Sequence, residues 1–233
     1  MSQLAFDLPP HPAFGRADYF ASHANAAALS WIDRWPEWPS PVLILHGAQG
    51  AGKTHLAHLW CERAAATLIT GRTLSRAHVE RVIERSVARV AVDDADSAPD
   101  MALLHLFNAC VEVRGHLLLT SRQAPAGWRL VPPDLSSRLR AVPCVRIEPP
   151  DDALLGVVLV KHFTDRQVRV SPQVIAYLVS HMDRSLAAAA EIAAQLDHAA
   201  LLRHNAITIP IAARVLAARA NQLSSPNSKA GVT

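Results

Sequence analysis

The sequence predicts an α/β protein in which a central parallel sheet is flanked by helices and followed by a small all-helical domain. Three observations predict it. Short apolar runs alternate with stretches of helical periodicity up to residue 149, the pattern of parallel strands joined by crossover helices. The first of those runs, Val42-Leu43-Ile44-Leu45, is apolar at every position, as a strand buried on both faces must be. Past Pro149-Pro150 the strand signal stops and only helical patterns remain.

Taken in order, residues 1–13 are rich in proline and read as a flexible tail. A short helix is expected over residues 25–34, with Ala28, Leu29 and Ile32 on one face. The segment Trp35-Pro36-Glu37-Trp38-Pro39-Ser40-Pro41 ends it, because proline removes the amide donor and fixes φ. Trp31, Trp35 and Trp38 are expected to clamp this connection onto the core. Strand 42–45 then leads through a glycine turn into a helix over residues 53–63. Further strands are expected at 67–70, 90–92, 117–120 and 144–147, separated by helices over 74–85, 101–113 and 134–139. The helical part should comprise residues 152–163, 172–181, 184–202 and 210–220. In the third of these, Leu186, Ala189, Ala193, Leu196 and Ala200 alternate spacings of three and four, as an amphipathic helix requires. Ser171 ahead of Pro172 supplies a cap followed by a first-turn proline. The expected division is a tail at 1–13, a nucleotide-binding α/β domain at 14–149, a helical lid domain at 150–220, and a disordered Ser/Asn/Gly-rich tail at 221–233.

Composition bounds the function. The chain has 233 residues, enough for one core and a small accessory domain. It is 50% hydrophobic and 18% charged, an ordinary globular balance. The net charge is +3 with a pI near 9.0, yet lysine occurs only at Lys53, Lys161 and Lys229 and the basic residues are scattered. That reads as solvated surface and not as a nucleic-acid stripe, so direct DNA binding is expected to be weak or absent. Cys61, Cys110 and Cys144 each sit alone in apolar runs, which fits buried thiols in a reducing compartment. The N-terminus lacks a signal-peptide core, and no apolar run approaches the roughly 20 residues that span a bilayer. The expectation is a soluble, cytoplasmic protein without membrane contact.

The strongest chemical signal is Gly47-Ala48-Gln49-Gly50-Ala51-Gly52-Lys53-Thr54. A triphosphate needs backbone N–H groups turned inward, hence glycine where a Cβ would obstruct the chain. It also needs an ammonium on its β/γ oxygens and a hydroxyl on Mg²⁺. A chance glycine turn would not come with an apolar strand before it and a helix N-terminus after it. Val90-Ala91-Val92-Asp93-Asp94 is the expected companion: Asp93 to hold the metal, Asp94 to orient or polarise an attacking water. Aspartate at the second position reaches less far than glutamate, so any hydrolysis by this chain is expected to be slow. Leu117-Leu118-Leu119-Thr120-Ser121 ends in hydroxyls that such a sheet places beside the γ-phosphate, although ordinary strand-end polarity accounts for it equally. Arg138 lies on the short helix before the last strand, where the bland reading is a surface arginine. His55, His58 and Cys61 recur every three residues and drift round the helix axis, which is unsuited to a zinc site.

Together these landmarks resemble the AAA+ module, in wording close to the DnaA replication-initiator branch. The resemblance covers residues 14–220. It is carried by Asp18-Tyr19-Phe20 with Asn25-Ala26-Ala27-Ala28, Lys53-Thr54-His55-Leu56, Asp93-Asp94, Leu119-Thr120-Ser121, Ser137-Arg138-Leu139 and Met182-Asp183-Arg184-Ser185. It implies an AAA+ P-loop domain with a helical lid, binding ADP or ATP with Mg. Tyr19 and Asn25 would border the adenine pocket; Gln49, Gly50, Ala51, Gly52, Lys53, Thr54 and His55 would form the phosphate loop; Thr54 and Asp93 would hold the Mg. By the same similarity Arg138 is the arginine finger presented to a neighbour's nucleotide, and Arg184 the lid arginine that senses phosphates. His181 stands where a further arginine is expected before the lid arginine motif.

Two departures refine the expectation. No helix-turn-helix DNA-binding domain is expected after the lid, nor a long oligomerising segment before the α/β domain. The chain instead opens with Gln3-Leu4-Ala5-Phe6-Asp7-Leu8, similar to the motif that docks proteins on the DNA polymerase sliding clamp. Gln3 would supply amide hydrogen bonds and Leu4, Phe6 and Leu8 apolar anchors. This combination resembles the Hda family, which inactivates the DnaA initiator. It implies a replication inhibitor that binds nucleotide and clamp and stimulates ATP hydrolysis by DnaA through Arg138; a homodimer is left open. Two other readings stand beside it. A nucleic-acid-binding AAA+ helicase loader would need a basic, aromatic groove. An autonomous ATPase or kinase would need an acceptor-substrate constellation, and none is visible.

Overall fold

In the computed structural model, residues 15–84, 89–131, 133–201 and 206–224 are described. The clamp-like motif at Gln3, Leu4, Phe6 and Leu8 lies outside them. The strands are β1 (Val42–Gly47), β2 (Thr67–Thr70), β3 (Arg89–Asp93), β4 (His116–Ser121) and β5 (Cys144–Ile147). The helices are α1 (Ala26–Asp33), α2 (Lys53–Ala64), α3 (Arg76–Glu84), α4 (Asp100–Glu112), α5 (Pro133–Ala141), α6 (Asp152–Asp165), α7 (Pro172–His181), α8 (Leu186–Leu201) and α9 (Ile209–Ser224).

The most apolar strand takes the inner position. Val42, Leu43, Ile44 and Leu45 are fully buried, and β1 pairs in parallel with β4 on one side and β5 on the other. The sheet order is β2-β3-β4-β1-β5, all parallel. Because side chains alternate along a strand, β1 feeds two cores. Val42 and Ile44 join Val90, Val92, Leu117 and Leu119 under α3, α4 and α5. Leu43 and Leu45 join Ala91, Leu118 and Ile147 under α1 and α2. The tryptophan-proline connection is clamped as its composition predicts: Trp38 stacks on the buried Trp60 at 5.5 Å between centroids, and its indole N–H donates to the Trp31 carbonyl at 2.7 Å.

Strand β1 runs two residues beyond its apolar stretch, to His46 and Gly47, because pairing with β4 and β5 continues there. Its carboxyl end is where the order of the sheet reverses, between β4 and β5. Open α/β sheets bind ligands outside such a switch point.

Helices α6 to α9 pack on one another around Leu155, Leu159, Phe163, Leu178, Ile192 and Leu196. Asp151 caps α6 by accepting from the Leu154 amide at 2.7 Å, and Ser171 caps α7 ahead of Pro172. Contacts that tie this bundle to the sheet domain include Lys161 to Asp18 at 3.0 Å and the Leu186 amide to the Gly50 carbonyl at 2.8 Å. No described helix is long and apolar enough to cross a membrane.

Candidate functional site

The site is built by the carboxyl ends of β1, β3 and β4 and the loop that leaves β1. Gly47 lies so close to β5 that a Cβ there would stand 2.5 Å from the Ile147 carbonyl oxygen. The loop turns through Gly50 at φ 74° and Gly52 at φ 94°, both in the left-handed region that side chains resist. Helix α2 starts directly afterwards at Lys53, so its unpaired first-turn amides and its dipole face the loop.

Lys53 is almost wholly buried, and its Nζ donates to the Gly47 and Ala48 carbonyls at 2.8 and 2.9 Å. Burial lowers its pKa; Asp94, Asp93 and Asp96 oppose that shift, while Arg122 adds to it. Next to it Thr54 Oγ1 donates to Asp93 Oδ2 at 2.8 Å. The other Asp93 oxygen accepts from Thr120 Oγ1 at 2.5 Å, and the same hydroxyl accepts from the Asp94 amide at 3.0 Å. One fully buried hydroxyl on β4 therefore fixes the Asp93 carboxylate and the backbone of Asp94 that follows it. Asp94 itself has φ 53°, and Gly71 packs so tightly that a Cβ there would lie 2.2 Å from the Asp94 carbonyl oxygen.

What this arrangement can do chemically is hold a polyphosphate with a divalent cation. Positive-φ glycines free inward amides, a buried ammonium supplies charge, and a hydroxyl and a carboxylate meet where a metal ligand pair is needed. Gln49 is exposed, Ala51 is buried beneath the loop, and His55 packs edge-on against Tyr19 at 5.0 Å between centroids. Tyr19 is 7% exposed; its hydroxyl is buried without a hydrogen-bond partner, and desolvation raises its pKa.

Like Lys53 and Thr54, Asn25 and Arg184 are engaged with the chain itself. Asn25 is buried; its Oδ1 accepts from the Ser22 amide at 2.8 Å and its Nδ2 donates to the Phe20 carbonyl at 2.9 Å. Its amide shapes the segment from Phe20 to Asn25 instead of projecting outward. Arg184 reaches Asp152 Oδ1 at 2.6 Å as well as the Pro150 carbonyl, so it braces the start of α6. The lid residue that covers the loop is its neighbour Ser185: a Cβ on Gly50 would lie 2.0 Å from Ser185 Oγ. Arg138 stands apart on α5, with its side chain 42% exposed and Nε 2.9 Å from Asp134 Oδ2, and its guanidinium is 6.0 Å from the Phe107 ring centre.

Thr120 and Ser185 are the residues whose contacts the sequence pattern hides. Both lie within the quoted motifs, but a bond across 27 residues from Thr120 to Asp93, or a lid serine seated on a loop glycine, leaves no local signal.

Comparison with known proteins places the fold. A family model described as Hda, lid domain, matches residues 152–216. The chromosomal replication initiator protein DnaA of Thermomicrobium roseum is 25% identical over 219 residues, covering 83% of this chain and 46% of that relative. The chain thus spans about half the length of that curated relative. Domain III of the Thermotoga maritima DnaA superposes with a TM-score of 0.76 at 16% identity, over 89% of this chain and 97% of that one. An AMPPCP-bound DnaA from Aquifex aeolicus gives 0.60 at 17% identity, over 76% of this chain and 63% of that one.

Proposed function

We propose, for a chain that is a DnaA-related AAA+ protein with an Hda-type lid, that it is a negative regulator of chromosomal replication initiation. It binds ADP or ATP with magnesium, docks on the sliding clamp through Gln3, Leu4, Phe6 and Leu8, and stimulates ATP hydrolysis by DnaA. The nucleotide supplies a polyanion around which loop and lid organise. The amides of residues 49–52 and the Lys53 ammonium hold the phosphates, and Thr54 and Asp93 hold the metal. Tyr19, Asn25 and His55 form the side toward the base, and Ser185 and Arg184 bring the lid onto the loop. Nucleotide binding is supported by the AMPPCP named with the Aquifex aeolicus neighbour. Asp94 orients water for slow hydrolysis in cis.

Arg138 carries the reading. It is an exposed guanidinium held by a single carboxylate on an outer helix, in a chain whose lid is of the Hda type. Entering the partner's site, it would stabilise charge developing on the γ-phosphate, an effect worth about 10³ to 10⁵ in rate where arginine fingers act. The test measures ATP hydrolysis by DnaA with clamp-loaded DNA present. Arg138→Ala should retain clamp binding and its melting temperature yet lose the stimulation; full stimulation by that variant refutes the proposal.

A further inference from the structure

Three parts of the molecule meet on the consecutive residues Asp183 to Leu186, where α8 begins. Asp183 lies 3.8 Å from Arg219 of α9, a guanidinium that also pairs with Glu191. Arg184 donates from Nη1 to the Pro150 carbonyl at 3.0 Å and from Nη2 to Asp152 Oδ1 at 2.6 Å. Both ends of its fork are thus anchored where the chain enters α6. Ser185 sits against Gly50, and the Leu186 amide donates to the Gly50 carbonyl at 2.8 Å. Leu186 Cδ1 also stands 3.3 Å from the place a Gly52 Cβ would take. The turn is tight, with the Ser185 amide donating to the Asp183 carbonyl at 2.7 Å, so a shift of Arg184 carries Ser185 and Leu186 with it.

The bond from Leu186 acts on the loop itself. A peptide unit is planar, so a carbonyl and the amide that follows it point in opposite directions. With the Gly50 carbonyl held by the lid, the Ala51 amide is turned back into the loop, where it donates to the Ala48 carbonyl at 3.3 Å. Gly50, at φ 74°, has the conformational freedom to turn that peptide over, so the bond from the lid selects one orientation of it. A loop already in its binding geometry has less order to gain when a ligand arrives. Resting on the nucleotide reading of the loop above, we propose that Asp152 is a positioning residue for nucleotide binding: through Arg184 it sets the place of the Ser185–Leu186 seat, and hence the orientation of the Gly50–Ala51 peptide. Arg184 then serves ADP and ATP alike, by placing the lid and not by reading the terminal phosphate. The neighbouring Asp151 has a separate task, since its carboxylate caps α6 at the Leu154 amide.

The experiment is calorimetric titration of the full-length, nucleotide-stripped protein with ADP and with ATP, magnesium present. Asp152→Ala should weaken both nucleotides by about threefold, the scale of a solvent-exposed ion pair. Arg184→Ala also gives up the Pro150 bond and should weaken both by about tenfold. The double variant should bind no more weakly than Arg184→Ala, because the two side chains act through one contact. The Arg184 and Asp152 side chains are 54% and 67% exposed, so melting temperatures should stay at the parent's value. Asp151→Ala is the control: it should lower the melting temperature and leave both affinities in place. An equal loss of affinity in Asp151→Ala overturns the proposal, since loosening of α6 would then suffice. So do additive losses in the double variant, or a loss in Arg184→Ala confined to ATP. Unchanged affinity in Asp152→Ala with a binding parent sinks this proposal alone. A parent that binds neither nucleotide sinks the functional reading and this proposal together.

Discussion

Replacing Gly50 by alanine should push the lid off the phosphate loop. The residue has φ 74°, where an L side chain costs about 1–2 kcal/mol. The added Cβ would also meet Ser185 Oγ at 2.0 Å, Ser185 Cβ at 3.1 Å and the Ala187 Cβ at 3.3 Å. The hydroxyl can rotate away, but neither Cβ can move without the start of α8, so overlap adds about 1–3 kcal/mol. The two contributions separate in a double-mutant cycle with Ser185→Gly. That second change costs only about a few tenths of a kcal/mol, because Ser185 caps the Ala188 amide through a long 3.3 Å bond and glycine is tolerated at caps. In the glycine background the overlap with Ser185 disappears while the backbone cost and the close approach to the Ala187 Cβ remain, so coupling of about 1–2 kcal/mol is expected from urea unfolding. Strict additivity of the two changes would show that the lid does not rest on Gly50.

Two further outcomes follow from the same site and core. Thr120→Val removes the buried hydroxyl that bridges Asp93 and the Asp94 amide, and should lower stability by about 2 kcal/mol and weaken magnesium-dependent nucleotide binding; a variant of parental stability and affinity contradicts the bridge. His46, His116 and His162 all have pKa values below the ordinary 6.5, each chiefly through burial, with Arg146, Arg89 and Arg166 respectively next in weight. The unfolded chain therefore binds more protons between those lowered values and 6.5, so stability should fall as pH drops through that window and be fully present above it. Melting temperatures at about pH 7.5 and about pH 5.5 check this, and a rise on acidification contradicts it.

Much of the fold could be read from periodicity, because parallel strands buried on both faces leave uninterrupted apolar runs. Strands expected at 67–70 and 144–147 coincide with Thr67–Thr70 and Cys144–Ile147, and the proline-started helix with Pro172–His181. Strand ends were less legible. His46 and Gly47 carry no apolar signal and extend β1 only because β4 and β5 pair there. The turn from Gly47 to Thr54 was legible because glycine is demanded by its positive-φ backbone at Gly50 and Gly52 and by the close approach of Gly47 to β5. Thr120, Ser185, Asn25 and Arg184 were legible as motif members, but the partner of each lies on another segment or, for Asn25, in its own backbone, and spacing does not encode that. The sheet order itself follows from pairing between strands far apart in sequence, such as Ile44 with Leu119.

The account depends most on the loop from Gly47 to Thr54 taking the phosphates of an adenine nucleotide. Calorimetric titration of the purified, nucleotide-stripped protein with ADP and with ATP, magnesium present, measures this directly. Saturable one-to-one binding by the parent, lost on Lys53→Ala at unchanged melting temperature, is the expected result. Failure of the parent to bind either nucleotide contradicts the account.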